Sequence, residues 1–164
     1  MKEGYNIRKM SLDDSEDIID LLQESLRDSG SFFLPVKPTK KSAYYFYKME
    51  VEPAIINGDP CYVIERELRL VAFSCSSTCI NQVYDLERKT ALGVLTFVKK
   101  EHRRQGISEY LRYATMKGLK DLGVEYVICD INKQNLPSFF GMQKICNESG
   151  LKPALLFERY GCGL

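Results

Sequence analysis

The sequence predicts a mixed α/β domain with one central sheet, partly antiparallel and partly parallel, and helices on both of its faces. Three observations predict this. Apolar residues recur at helical spacing in some segments and at strand spacing in others. Between residues 61 and 98, three β-rich runs follow one another with no helix between them. After them come strand, helix and strand with short connections, the pattern of a parallel crossover. The order read from these patterns is β-α-α-β-β-β-α-β-α-β. Because no repeat, linker or low-complexity segment divides the chain, its 164 residues are expected to form a single domain, 1–164.

The first strand is predicted at 5–10, followed by capping residues at Ser11, Asp13 and Asp14. A first amphipathic helix follows over 13–26, with Ile18, Ile19, Leu21, Leu22 and Leu26 at helical spacing and Ser29-Gly30 as its stop. Two prolines exclude a regular helix over 31–39, and a second helix over 40–56 is built around Tyr44, Tyr47, Val51 and Ala54. Its tyrosines read chiefly as packing, with a pocket lining as the alternative. The runs 61–65, 70–79 and 90–98 read as an antiparallel meander. Helix 106–122 places Ile107, Leu111, Ala114, Thr115, Leu119 and Leu122 on one face and is closed by Gly123. Residues 124–131 form a nearly continuous apolar strand, as expected of one buried on both faces. A last helix over 137–148, capped by Asn135, and a closing strand over 154–159 complete the order.

Lysine and arginine total 23 against 22 acidic residues, so there is no general pull toward nucleic acid or anionic membrane. With no signal-like or spanning apolar run, the expectation is a cytoplasmic protein. The six cysteines are read as reduced thiols. Cys75 and Cys79, about 13 Å apart along a strand, cannot close on each other. With His102 the sole histidine and no CxxC pair, no metal site is expected.

Chemistry concentrates where a strand ends and a helix begins, at Phe97-Val98-Lys99-Lys100-Glu101-His102-Arg103-Arg104-Gln105-Gly106-Ile107-Ser108. A helix start leaves about four N–H groups unpaired and carries roughly half a positive charge, so it favours an anion. Gly106 allows close approach to the backbone, Arg103 and Arg104 add charge, and Ser108 offers a hydroxyl, a set suited to a pyrophosphate. The turn is neither GxxxxGK[ST] nor GxGxxG, so nucleoside triphosphates and dinucleotides fit it less well than another phosphate-bearing cofactor.

The turn Arg103-x-x-Gly106-x-Ser108 resembles the signature of the GCN5-related N-acetyltransferases, Arg/Gln-x-x-Gly-x-Gly/Ala. The element order agrees over essentially the whole chain, and Asn135-x-x-Ser138 followed by Gly150-Leu151 resembles later motifs of that family. The resemblance implies an N-acetyltransferase that moves an acetyl group from acetyl-CoA to a protein, peptide or small-molecule amine by direct attack. It implies that Gln105, Gly106, Ile107 and Ser108, with Arg103 and Arg104, hold the pyrophosphate. Phe97 and Val98 would pair with the pantetheine arm through their main chain, and Asn135 would face the same arm.

The family's last helix often carries a tyrosine as general acid, and none lies between Asn135 and Gly150. Tyr160 is the substitute considered, Asp130 the candidate base with Glu65 second, and Cys129 reads as inert core. A catalytically weak CoA-binding regulatory module of the same fold is the alternative. Only thirteen residues follow Leu151, enough for one strand and not clearly for a final hairpin, which leaves a homodimer or a large acceptor open.

Overall fold

The computed structural model describes residues 3–28, 37–80, 89–131, 135–150 and 152–157. Six strands form one sheet in sequential order: β1 (Tyr5–Lys9), β2 (Tyr62–Arg66), β3 (Arg69–Ile80), β4 (Lys89–Val98), β5 (Tyr126–Asp130) and β6 (Lys152–Phe157). The first four are antiparallel, while β4–β5 and β5–β6 are parallel. Helices α1 (Ser15–Asp28), α2 (Lys40–Phe46), α3 (Glu52–Ile56), α4 (Ile107–Asp121) and α5 (Leu136–Ser149) connect them.

Strand periodicity sends neighbouring side chains to opposite layers. Val63, Phe73 and Phe97 face a cluster with Ile18, Ile19, Leu21 and Leu22 of α1 and with Ala43, Tyr47, Val51 and Ala54. Ile64, Ala72 and Val98 face Ile107 and Leu111 of α4. A further cluster joins Ala91 and Val127 to Met116 and Leu119 of α4 and to Met142, Ile145 and Cys146 of α5.

The predicted second helix is interrupted. A π-turn at Tyr47–Val51 separates α2 from α3, and Pro53 follows at the first positions of α3. Proline has no N–H and clashes with the carbonyl four residues back, so an undisturbed α-helix cannot run through it. The inward face is Ala43, Tyr47, Val51 and Ala54, whereas Tyr44 is 46% exposed, one step off that face. In α4, Met116 is buried where Ala114 was expected to be. Leu122 is 40% exposed because the helix ends before it and Gly123, at φ 77°, turns the chain so that Val124 packs instead.

The last strand begins two residues before the expected 154, and positions 158–159 of the expected span lie outside the described residues. β6 occupies Lys152–Phe157 and lies directly beside β5, with Asp130 opposite Phe157. Whether a further strand follows lies outside the described residues. Among those described, no helix is long and apolar enough to cross a membrane, and no group of three or more His, Cys, Asp or Glu could hold a metal.

Candidate active site

The site begins where β4 and β5 part. They pair only from Thr90↔Tyr126 to Leu92↔Ile128, whereas β4 stays on β3 as far as Val98↔Ala72. On the β3 side Ser77 faces Leu92 and Ser76 faces Val94, which leaves Gly93 as an extra, bulged residue. The bulge coincides with the parting. From Gly93 to Val98, β4 has a sheet partner on one edge only among the described residues, so N–H and C=O groups of its other edge face a gap. Gly93 was not singled out from sequence, although a glycine inside a strand pattern is the signal for a bulge.

At the far end of this open stretch the chain enters α4 through a tight turn. Lys99 N–H donates to Val71 O at 3.0 Å, and a short 3-10 turn covers Lys100–His102. Arg104 (φ 58°) and Gly106 (φ 79°) then both take the left-handed region. The first helical bond is Tyr110 N–H to Gly106 O, 3.0 Å. A β-carbon built on Gly106 would meet nothing within 4 Å, so the space above the helix start is open. Left-handed backbone, open space and the unpaired N–H groups of a helix start form an anion cradle.

The sequence-predicted cofactor residues Gln105, Gly106, Ile107 and Ser108 do come together in this turn, but the two arginines part company. Arg103 Nε donates to Val98 O at 2.8 Å, its guanidinium lies 5.6 Å from the Phe97 ring centroid, and its terminal nitrogen pairs with Asp28. Lys100 Nζ approaches the same carboxylate at 3.6 Å. The Arg103 hydrogen bond is the largest influence holding the Asp28 carboxyl below its ordinary range. Arg103 therefore fastens the turn to β4 and to the end of α1. Arg104 is exposed and has no partner among the described residues, which leaves it the available cation.

A second set of contacts braces the turn from the sheet edge. Tyr5 hydroxyl lies 2.9 Å from His102 Nδ1 and donates to Gln105 Oε1 at 3.2 Å, while Arg66 donates to the same hydroxyl at 3.4 Å. Tyr5 has one proton, so with that proton on Gln105 the His102 bond runs from Nδ1–H to Tyr5. Tyr5 of β1 thus fixes a loop 97 to 100 positions away, with Arg66 of β2 bonded to its hydroxyl, a role that no local pattern could reveal.

Asn135 caps α5, its Oδ1 accepting from Ser138 N–H at 3.3 Å. Asp130 closes β5, two residues beyond the last β4–β5 pair, and nothing is described of its side chain or of Cys129's. Tyr160 lies outside the described residues. Glu65 is committed elsewhere, accepting from Arg8 Nε at 2.8 Å. Tyr44 and Tyr47 line a groove of about 400 Å³ with Ser15, Glu16, Ile19, Lys40, Lys48 and Glu52. That groove borders the N-terminal half of α1, whereas Asp28, at its other end, meets the turn. Fourteen helical residues span about 21 Å, so the groove and the turn are separate places.

No family model and no curated protein matches the chain by sequence. Solved structures do match its fold. One is yncA, a putative acetyltransferase from Salmonella typhimurium solved with acetyl-CoA: TM-score 0.68, 15% identity, covering 87% of this chain and 79% of that one. A GCN5-related N-acetyltransferase from Ralstonia eutropha JMP134 covers 98% and 100%, with TM-score 0.67 and 16% identity. Diaminobutyrate acetyltransferase EctA from Paenibacillus lautus, solved with L-2,4-diaminobutyric acid and coenzyme A, gives TM-score 0.58 and 22% identity over 88% and 75%. The fold is that of the GCN5-related N-acetyltransferases.

Proposed function

We propose that the chain is an acetyl-CoA-dependent N-acetyltransferase. The observation that carries this reading is the pairing of an open strand edge with an anion cradle: β4 loses β5 at the Gly93 bulge and ends at the turn around Gly106. Five residues at about 3.3 Å each separate bulge from strand end, roughly 17 Å, which suits an extended pantetheine arm with its pyrophosphate on the turn. The structures of the same fold solved with acetyl-CoA or coenzyme A support the choice of ligand.

The coenzyme would supply an activated thioester. Backbone N–H groups from Gln105 to Ser108 would hold its pyrophosphate, with Arg104 adding charge and Arg103 acting from behind by fixing the turn. Val98 O already accepts from Arg103, and because Lys99 N–H bonds to Val71 O the alternate residue Phe97 turns its main-chain groups to β3, so strand-like pairing with the arm would rest on Val98 N–H and on Thr96. Asn135 would face the arm from the start of α5. An N–H at the bulge, at the point where the strands part, is suited to steady negative charge developing on the carbonyl oxygen, and holding donor and amine together supplies much of the rate. Asp130, at the end of β5 beside the gap, would take the amine proton, and Tyr160 is the candidate that returns one to sulfur.

The experiment is a thermal shift of the full chain with coenzyme A and acetyl-CoA, followed by mass spectrometry of amine panels and cell extract incubated with labelled acetyl-CoA. Stabilisation by both ligands and an N-linked acetyl product are expected. Absence of any ligand shift removes the reading. We also assign the outer edge of β6 to a second copy or a large acceptor, since among the described residues β6 pairs only with β5. Monomers alone in light scattering, with turnover confined to small amines, would overturn that assignment.

A further inference from the structure

We propose that Cys61 and Cys75 are a disulfide-forming pair, a modification site for a peroxide or a small-molecule disulfide, whose closure clamps the start of β2 to the middle of β3. The proposal is independent of what the protein catalyses.

The strand register makes it. Tyr62 pairs with Ser74, so the residue before the first and the residue after the second stand opposite each other on antiparallel neighbours. Cα atoms at such positions lie roughly 4.5–5.5 Å apart, inside the range a disulfide spans, so no backbone movement is needed. The side chains already point at one another: Sγ to Sγ is 3.1 Å, closer than two sulfur atoms ordinarily rest in contact. Both are free thiols, 3% and 5% exposed. Fourteen positions separate them, beyond the reach of any local spacing rule, and sequence reading tested only the nearby Cys75 and Cys79.

The chemistry closes in two steps. A thiolate of one residue attacks a peroxide oxygen and becomes a sulfenic acid as the O–O bond breaks and water leaves. The partner thiol then displaces the second water, so two thiols lose two electrons to one hydrogen peroxide and two waters form. With glutathione disulfide, exchange passes through a mixed disulfide and releases two glutathione thiols. Contact between the sulfurs gives the sulfenic acid an immediate exit and protects it from further oxidation. The hydrogen bond shared with Cys61, reinforced by burial, holds the Cys75 thiol well above the ordinary cysteine range, so the pair reacts more slowly than an exposed thiol. Cys146 is an internal comparison, 1% exposed and with no thiol neighbour among the cysteine side chains described, those of Cys61 and Cys75.

The test uses the full chain with every cysteine in place. It is incubated with hydrogen peroxide or with glutathione disulfide a few degrees below its melting transition, where the oxidant reaches the strands. Free thiols are then blocked with N-ethylmaleimide in denaturant, and the unreduced digest is mapped. The expected result is one crosslinked peptide pair, Cys61 with Cys75, with Cys146 still alkylated. The Tm should rise by about 5 °C or more and fall back with dithiothreitol. In Cys75→Ala both changes should disappear. Recovery of Cys61 and Cys75 as separately alkylated or sulfinic residues overturns the proposal, as do crosslinks scattered over the other cysteines. Neither outcome depends on any variant folding.

Discussion

At one end of helix α1 Arg8 gathers two carboxylates, and at the other Asp28 gathers two cations, one of them Arg103. Arg8 donates in bidentate fashion to Asp14, at 2.8 and 2.7 Å, and through Nε to Glu65 at 2.8 Å. Asp14, 8% exposed, also accepts from Ser11 N–H at 2.8 Å, so its charge is enclosed and its lone pairs are used. Asp28 is exposed, and its partners Arg103 and Lys100 flank the turn that opens onto the gap. The same pair chemistry therefore serves two purposes. A closed cluster holds the helix on the sheet, while an open one sets the shape of a site. A basic residue in a site-like motif need not touch a ligand.

The largest way to break this contrast is Gly106→Glu. A side chain placed where the backbone sits at φ 79° and the space is open costs the fold about 1–2 kcal/mol. It also puts a negative charge in the anion cradle. We expect coenzyme A affinity to fall at least 100-fold, about 2.7 kcal/mol, and its thermal shift to vanish. An unchanged shift would place the coenzyme elsewhere. At the closed cluster, Asp14→Ala should reverse the pattern. It should cost about 2–3 kcal/mol in urea unfolding through lost charged hydrogen bonds, with the coenzyme affinity of the folded protein retained. A loss of affinity with little loss of stability would contradict the division between the two ends.

Arg103→Ala sharpens the comparison, since it separates holding the turn from holding the ligand. Its ion pair is exposed, so stability should change by less than about 1 kcal/mol. Coenzyme affinity should fall about tenfold, roughly 1.4 kcal/mol, because the turn loosens while Arg104 and the backbone N–H groups remain. Arg104→Ala should weaken binding too, with a flatter salt dependence, whereas Arg103→Ala should leave that dependence as it was. Titration calorimetry at two ionic strengths reads both; equal slopes for the two variants would remove the distinction.

How far the sequence could lead follows from the same contrast. The core face of α1 was readable because Ile18, Ile19, Leu21 and Leu22 obey one period, and all are buried. The turn was readable because strand end, glycine and helix start lie within a dozen residues. Tyr44 and Leu122 were misplaced for local reasons, a π-turn before Pro53 and a helix that ends at Asp121. Arg103 was seen as a charge but not as a fastener, since Asp28 lies 75 positions away. Tyr5 and Arg66 reach the turn only through the pairing of β1 with β2. Gly93 carried a usable signal, but its bulge acquires meaning only once β5 is known to leave at that point.

The smallest expected effect is a pH dependence that separates the two carboxylates. In the folded chain the hydrogen bond from Arg8 leads the influences that lower the Asp14 carboxyl from 3.8. A lowered folded-state value means that the unfolded chain binds the proton first, so stability from this group is fully present above about pH 4 and is lost as pH falls through the lower, folded value. Wild type and Asp14→Ala should therefore differ most near neutral pH and converge in acid, measured as the urea midpoint across a pH series. Asp28 is shifted in the same direction, chiefly by Arg103, but it is exposed and screened by solvent. Asp28→Asn should leave the acid limb close to that of wild type. If Asp28→Asn flattens the limb and Asp14→Ala does not, the open cluster carries the stability and the two ends of α1 have been assigned the wrong way round.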